Sequence, residues 1–344
     1  VKGDSEARSP ADYPSPRALL DKYGLRAKKS WGQNFLGDGE VLDHIARLAV
    51  EAPGERVVEI GAGLGHLTAR LLARGAVVVA VERERDMVAV LRGELAGRVR
   101  VLEADAVRLD YRRLSESCFG SPGGAARGSG ARPAQSRSTE ARLDVPPAVP
   151  GERPGSRGAA KGESQAGDGG ALVVVGNLPY HLTSPILFAL LDQADAVRRA
   201  VLLVQREVAE RLVASAGSKE WGLPSVLLQQ RAEVSLERRV GAGAFLPRPR
   251  VESAVVRIGF GQPRGRQPND PTRFRSLVKA GFAQRRKVLA NALSAGRVAA
   301  PDAIAAALAA AGIDGRRRGE TLTVEEWIDL ERALAGSTGL PPNT

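Results

Sequence analysis

Val57-Val58-Glu59-Ile60-Gly61-Ala62-Gly63-Leu64-Gly65 is the stretch whose reading decides the fold. A short apolar run ending on glycine reads as a buried strand, and residues 64–74 read as a helix that closes near Gly75. Glycines let the backbone turn sharply and let a ligand approach the main chain. The helix behind them offers free N–H groups. A purely structural tight turn would use the same residues, so the turn alone leaves both uses open.

The same rhythm continues outward. Ala76–Val81 is a second buried strand, 84–95 a helix, Val99–Glu103 a third strand and Leu172–Val175 a fourth. Residues 184–193 read as a helix and Ala200–Val204 as a fifth strand. Upstream, 38–50 has helical spacing, and 17–30 begins helical and turns basic. Strands alternating with helices predict a doubly wound, Rossmann-like α/β domain with a parallel sheet over 17–262. Residues 1–16 read as a disordered tail. Residues 120–170 hold 12 Gly, 6 Pro and one Leu, too few apolar groups to order themselves, and read as a disordered insert. Lengthening a loop from about 10 to about 60 residues adds only roughly 1.5 kcal/mol of closure entropy, so the core tolerates it. Residues 262–271 read as a linker. Helical spacing over 272–294, 301–311 and 323–335 makes 263–344 a small all-helical domain with a C-terminal tail.

Composition narrows the function. The 344 residues carry a formal charge of +11, which points to nucleic acid, although 42 Arg against 8 Lys also fits codon usage. One cysteine, Cys118, excludes a disulfide framework. His44, His66 and His181 are too scattered for a metal site, so no metal is expected. No apolar run is long enough to span a bilayer, and 1–16 has no signal-peptide core. The expectation is a cytoplasmic monomer.

Three strand ends carry chemistry. Glu82 follows Gly61 by 21 residues, where an acid accepts hydrogen bonds from ribose hydroxyls. Dinucleotides and S-adenosylmethionine both fit. However, the third glycine comes one residue earlier than in the dinucleotide fingerprint. Asp105 ends the third strand, as an adenine acceptor or as an N-cap. The fourth strand delivers Gly176-Asn177-Leu178-Pro179-Tyr180. This pentad resembles the motif of methyltransferases that modify exocyclic amino groups. An aromatic amine is a poor nucleophile because its lone pair is delocalised into the ring. An Asn oxygen and a neighbouring carbonyl that accept its two N–H bonds favour a pyramidal nitrogen. Proline fixes that carbonyl and brings no competing N–H, and the aromatic ring stacks on the base.

Taken together, the motifs resemble the ribosomal small-subunit RNA adenine dimethyltransferase family, linked to kasugamycin sensitivity. The stretches that carry the resemblance are 29–36 (KSWGQNFL), 58–65, 176–180, 245–256 (FLPRPRVESAVV) and 282–287 (FAQRRK). They span roughly 17–115 and 171–335. The resemblance implies N6,N6-dimethylation of two adjacent adenosines in the 3′-terminal hairpin of 16S ribosomal RNA. The methyl donor would be S-adenosylmethionine and the partner a pre-30S particle. Asn34 and Leu36 would contact the cofactor, Gly61 and Gly63 would line it, Glu82 would hold its ribose and Asp105 its adenine. Asn177 would touch both cofactor and target amine, within a catalytic set completed by Leu178, Pro179 and Tyr180. Phe245 would be a second stacking face, or a core residue. His181-Leu182-Thr183 departs from the family's usual continuation after the tyrosine.

Residues 264–318 hold 12 Arg/Lys against 3 acids. Lys28, Lys29, Arg248, Arg285, Arg286, Lys287, Arg316, Arg317 and Arg318 are the candidate RNA contacts, with solvated surface as the other reading of such charges. Two rivals remain: a 23S ribosomal RNA adenine methyltransferase of the macrolide-resistance type, and a non-catalytic ribosome-assembly factor.

Overall fold

The computed structural model describes residues 12–28, 32–120, 171–261 and 265–337. Lys29, most of the predicted tail (1–11), the insert from 121 on, the start of the predicted linker and the C-terminal tail from 338 lie outside them. In chain order the elements begin with α1 (Pro16–Lys22), β1 (Phe35–Leu36), α2 (Gly39–Ala49), β2 (Arg56–Ile60), α3 (His66–Ala73), β3 (Val77–Glu82), α4 (Arg85–Glu94), β4 (Arg100–Glu103) and α5 (Tyr111–Phe119). Next come β5 (Leu172–Asn177), α6 (Thr183–Asp192), β6 (Val197–Gln205), α7 (Arg206–Leu212), α8 (Leu223–Arg231), β7 (Glu233–Val240), β8 (Phe245–Leu246) and β9 (Ser253–Gly259). Four helices follow: α9 (Pro271–Ala283), α10 (Leu289–Ala295), α11 (Pro301–Ala310) and α12 (Val324–Ser337). The chain forms two compact units, Val1–Val197 with Phe245–Pro247, and Arg198–Ala244 with Arg248–Thr344. The composition change near residue 262 falls within the second unit.

In the first unit β4, β3, β2 and β5 lie side by side and all pair parallel. Buried from Val57 to Ile60 and from Leu172 to Gly176, β2 and β5 are apolar there apart from Glu59 because a parallel sheet is covered on both faces. From β2 the chain winds outward through β3 to β4, then returns to place β5 on the other side of β2. Ligands bind at the carboxyl ends of strands beside such a reversal. Gly176 on β5 packs so tightly against the Ile60 carbonyl that a Cβ there would have no room.

Residues 12–16, read as part of a tail, are built into this unit. The Tyr13 hydroxyl donates to Leu64 O at 2.7 Å, and its ring meets His66 edge-on at 5.2 Å. His66 Nε2 bonds Pro14 O at 2.9 Å. Burial pushes the His66 pKa down to about 4, so the ring stays neutral near pH 7. No local periodicity announces this docking, because its partners lie some fifty residues away.

In the second unit β9 lies between β6 and β7 and runs antiparallel to both. The sequence reading assigned neither β7 nor β9. β7 (EVSLERRV) is half-buried and charged, so it shows no apolar run. The single helix expected over 272–294 is two, α9 and α10. Arg285, Arg286 and Lys287 sit in the turn between them, closed by Lys287 N–H to Gln284 O at 2.9 Å. The first N–H groups of α10 pair outside the helix, Leu289 with Arg317 O at 2.7 Å and Ala290 with Gly315 O at 3.1 Å. The two basic clusters are therefore neighbours. Trp327 on α12 is fully buried against Gly281, and Glu331 on α12, also fully buried, accepts from Asn269 N at 2.8 Å and from Arg273 Nε at 2.8 Å. That pairing meets the cost of a buried carboxylate.

Candidate functional site

The turn after β2 needs glycine. Gly61, Gly63 and Gly65 have φ of 69°, 55° and 85°, a region other residues enter at a cost of about 1 kcal/mol or more. Gly61 N–H donates to Val81 O at 2.9 Å and Gly65 N–H to Ala62 O at 2.9 Å. Gly63 N–H donates to Glu82 Oε2 at 2.9 Å. That N–H is committed to a carboxylate and is not offered to a pyrophosphate. This geometry favours S-adenosylmethionine over a dinucleotide.

In front of the turn lies a cavity of about 300 Å³. The Gly-rich turn, the ends of β3 and β4, the segment Gly32–Phe35 and the pentad after β5 wall it. Gly61, Gly63, Glu82, Asp105, Asn34 and Asn177 all line it, as do Leu178, Pro179 and Tyr180. A Cβ on Gly61 would project toward Asn177 O and Pro179, and one on Gly63 toward the Phe35 ring. The residues fit the expected cofactor: a glycine cradle, two acids at adjacent strand ends and apolar Val81, Ile60 and Met87.

Glu82 also accepts from Arg83 N at 2.7 Å and from Glu84 N at 2.9 Å. These bonds fix its carboxylate and occupy three of its roughly four acceptor sites, leaving one on Oε2 for a ribose hydroxyl. Asp105 serves both sequence readings. Its Oδ1 caps the turn through Val107 N at 3.0 Å, while Oδ2 takes no part in the cap and lies 3.7 Å from Arg83 Nη1. Behind the turn, Glu59 is buried and accepts the Thr68 hydroxyl at 2.5 Å. Burial pushes its pKa up to about 8, and the neighbouring Glu82 charge adds to the rise.

Asn177 Nδ2 donates to Asn34 O at 2.9 Å. With its nitrogen end so engaged, the side chain presents Oδ1 as its acceptor end. Asn34 Nδ2 in turn donates to Gly32 O at 3.1 Å. Pro179 O accepts Leu182 N–H at 2.9 Å, so Leu178 O is the remaining backbone acceptor of the pentad's centre.

Two expected site residues lie off the cavity wall. Leu36 is replaced there by Phe35, because successive residues of β1 face opposite sides. Phe245 pairs with Leu36 across β8 and is only 4% exposed. Its surroundings match the core reading. Lys28 does not stand free for phosphate either. Its ammonium pairs with Glu84 and, at 3.0 Å, with Asp86. Gln33, Glu84 and His181 line the cavity, and the sequence gives none of them a role. Gln33 adjoins Asn34 and Glu84 follows Glu82 by two, so proximity to predicted residues was the available signal.

The basic residues divide. Arg285 pairs with Glu320 at 3.2 Å, Arg316 with Asp314 at 3.0 Å, Arg317 with Glu326 and Arg318 with Glu320 at 4.0 Å. Arg248, Arg286 and Lys287 are exposed. Among the described residues no group of His, Cys, Asp and Glu is placed to hold a metal ion, and no helix is long and apolar enough to cross a membrane.

Residues 24–335 match the family profile described as ribosomal RNA adenine dimethylase. Ribosomal RNA small subunit methyltransferase A of Anaeromyxobacter dehalogenans (strain 2CP-C) is 58% identical over 322 residues, 94% of this chain and 98% of that one. The protein of the same description from Myxococcus xanthus is 41% identical, over 94% and 96%. Among solved structures, a dimethyladenosine transferase from Plasmodium falciparum matches with a TM-score of 0.61 at 17% identity, over 88% of this chain and 98% of that one. The 23S ribosomal RNA methyltransferase ErmE matches at 0.57 and 22% identity, over 88% and 100%. At these identities the two structures establish the fold alone.

Proposed function

The chain belongs to the ribosomal RNA adenine dimethylase family, and from that premise we infer that it transfers methyl groups from S-adenosylmethionine to N6 of adenosine in small-subunit ribosomal RNA. The finer reading is dimethylation of two adjacent adenosines in the 3′-terminal hairpin of 16S RNA, carried out on a pre-30S particle by a monomer. The descriptions of the relatives favour the small subunit over the large. The observation that carries the chemistry is the bond from Asn177 Nδ2 to Asn34 O, which leaves Oδ1 as the acceptor end of a side chain on a residue that lines the cavity.

S-adenosylmethionine, when bound, supplies an electrophilic sulfonium methyl. Glu82 would hold its ribose, Asp105 its adenine amino group, and Gly61, Gly63 and Asn34 its remaining length. Asn177 Oδ1 and Leu178 O each accept one N–H of the target amine, which frees the nitrogen lone pair from the ring. Tyr180 stacks on the extruded base and holds it in line. No strong general base is required, because the ammonium formed is acidic and loses its proton to water. After one transfer a single N–H remains, and one of the two acceptors suffices for the second. Exposed Arg248, Arg286 and Lys287 bind RNA phosphates.

Asn177→Ala tests this reading. Losing one preorganised acceptor lowers methyl transfer by about 10²–10³-fold while the circular dichroism spectrum stays that of the native protein. Native turnover by the variant would overturn the assignment.

A further inference from the structure

Lys28, Gln33 and Glu84 meet beside the cavity, yet the reaction as described uses none of them. Glu84 is 7% exposed and occupies the N-cap position of α4 without capping it through its side chain. A carboxylate so buried is costly unless paired. Lys28 Nζ donates to its Oε1, and Gln33 Nε2 donates to its Oε2. The other end of Gln33, Oε1, accepts the backbone N–H of Lys28 at 2.7 Å. The three residues form a ring that closes through the Lys28 main chain, braced by Lys28 Nζ to Asp86 Oδ2 at 3.0 Å. Gln33 directly precedes Asn34, the residue whose carbonyl holds Asn177. The ring therefore fixes the cavity wall Gly32–Phe35 to the strand end that bears Glu82.

We propose that Lys28, Gln33 and Glu84 are a latch that positions the Gly32–Phe35 wall for cofactor binding, with Lys28 a positioning residue and not an RNA contact. This rests on the cofactor reading above. Lys28 does not line the cavity, so its effect on the cofactor passes through Glu84 and Gln33. A wall held in place binds at its intrinsic affinity. One correctly placed for only about a tenth of the time binds about tenfold more weakly.

The test measures binding of S-adenosylmethionine and S-adenosylhomocysteine to the full chain without RNA, by calorimetry. A parallel filter-binding series uses a small-subunit 3′-hairpin RNA without cofactor. Lys28→Met and Lys28→Gln should raise both cofactor dissociation constants about tenfold. Lys28→Arg should restore most of the loss, and RNA affinity should stay within twofold throughout. Thermal melting confirms that each variant is folded, and Lys28→Gln, which is uncharged but polar at its tip, decides the matter if Lys28→Met is not. Unchanged cofactor affinity in a folded Lys28 variant overturns the latch, as does weakened RNA binding with cofactor binding intact. Failure of the unmodified chain to bind either cofactor form would instead overturn the cofactor reading, and the latch with it.

Discussion

Replacing Glu59 by Gln should stabilise the protein, increasingly so as pH rises. Glu59 is 2% exposed behind the Gly-rich turn, and its hydrogen-bonding partner there is the Thr68 hydroxyl. Burial is the main cause that lifts its pKa from 4.5 to about 8. A group whose pKa is raised on folding binds more protons in the native state. Its contribution is full below pH 4.5 and is lost as pH rises through 8. At 1.36 kcal/mol per unit, the penalty reaches about 3 kcal/mol at pH 7 and about 4 kcal/mol at pH 8, and levels off at about 5 kcal/mol above that. Gln is neutral at every pH and keeps an oxygen for Thr68. Urea unfolding followed by far-ultraviolet circular dichroism at pH 5, 6, 7 and 8 measures the difference between variant and parent. It should be near zero to 1 kcal/mol at pH 5 and grow by about 1.4 kcal/mol per unit. A difference that is flat with pH would refute the reasoning, since Glu59 would then be ionised in the native state. His66 sets the opposite trend in both proteins. Its pKa falls from 6.5 to about 4 on folding, so stability declines as pH drops through that window.

Glu82→Ala removes the acceptor proposed for the ribose and leaves Gly63 N–H without its carboxylate. Loss of charge-assisted bonds worth about 1.5–3 kcal/mol should raise the cofactor dissociation constant roughly 10- to 150-fold, and an unchanged constant would remove Glu82 from the site. Arg286→Ala with Lys287→Ala should weaken RNA binding and lower the slope of log affinity on log salt by about 1.4–1.8. Arg317→Ala, which breaks a pair with Glu326, should instead lower thermal stability and leave that slope unchanged.

Much of the first unit was legible in the sequence, for physical reasons. Parallel strands covered on both faces show as apolar runs, and a turn that needs three positive φ angles shows as three glycines. Glu82, Asp105 and Asn177 stand at strand ends that the pattern located, Asn34 came from the family resemblance, and the structure brings all four to one cavity. The rest depended on distant partners. Whether Phe35 or Leu36 faces the cavity is set by pairing with Leu246 and Phe245, more than two hundred residues on. Lys28 looks like any basic surface residue until Glu84, 56 residues away, is placed beside it. β7 is half-buried and charged, so its sequence carries no strand signal. The break between α9 and α10 is stabilised by the carbonyls of Gly315 and Arg317, which local periodicity does not reveal.

The central claim is that this chain methylates adenosine N6 in small-subunit ribosomal RNA. Its most direct test incubates the protein with methyl-labelled S-adenosylmethionine and unmethylated ribosomal subunits of both kinds, then maps the label by nuclease digestion and mass spectrometry. The account predicts N6,N6-dimethyladenosine at two adjacent positions near the 3′ end of small-subunit RNA, formed about 10²–10³-fold more slowly by Asn177→Ala. Label in large-subunit RNA, or no label in either subunit, would contradict it.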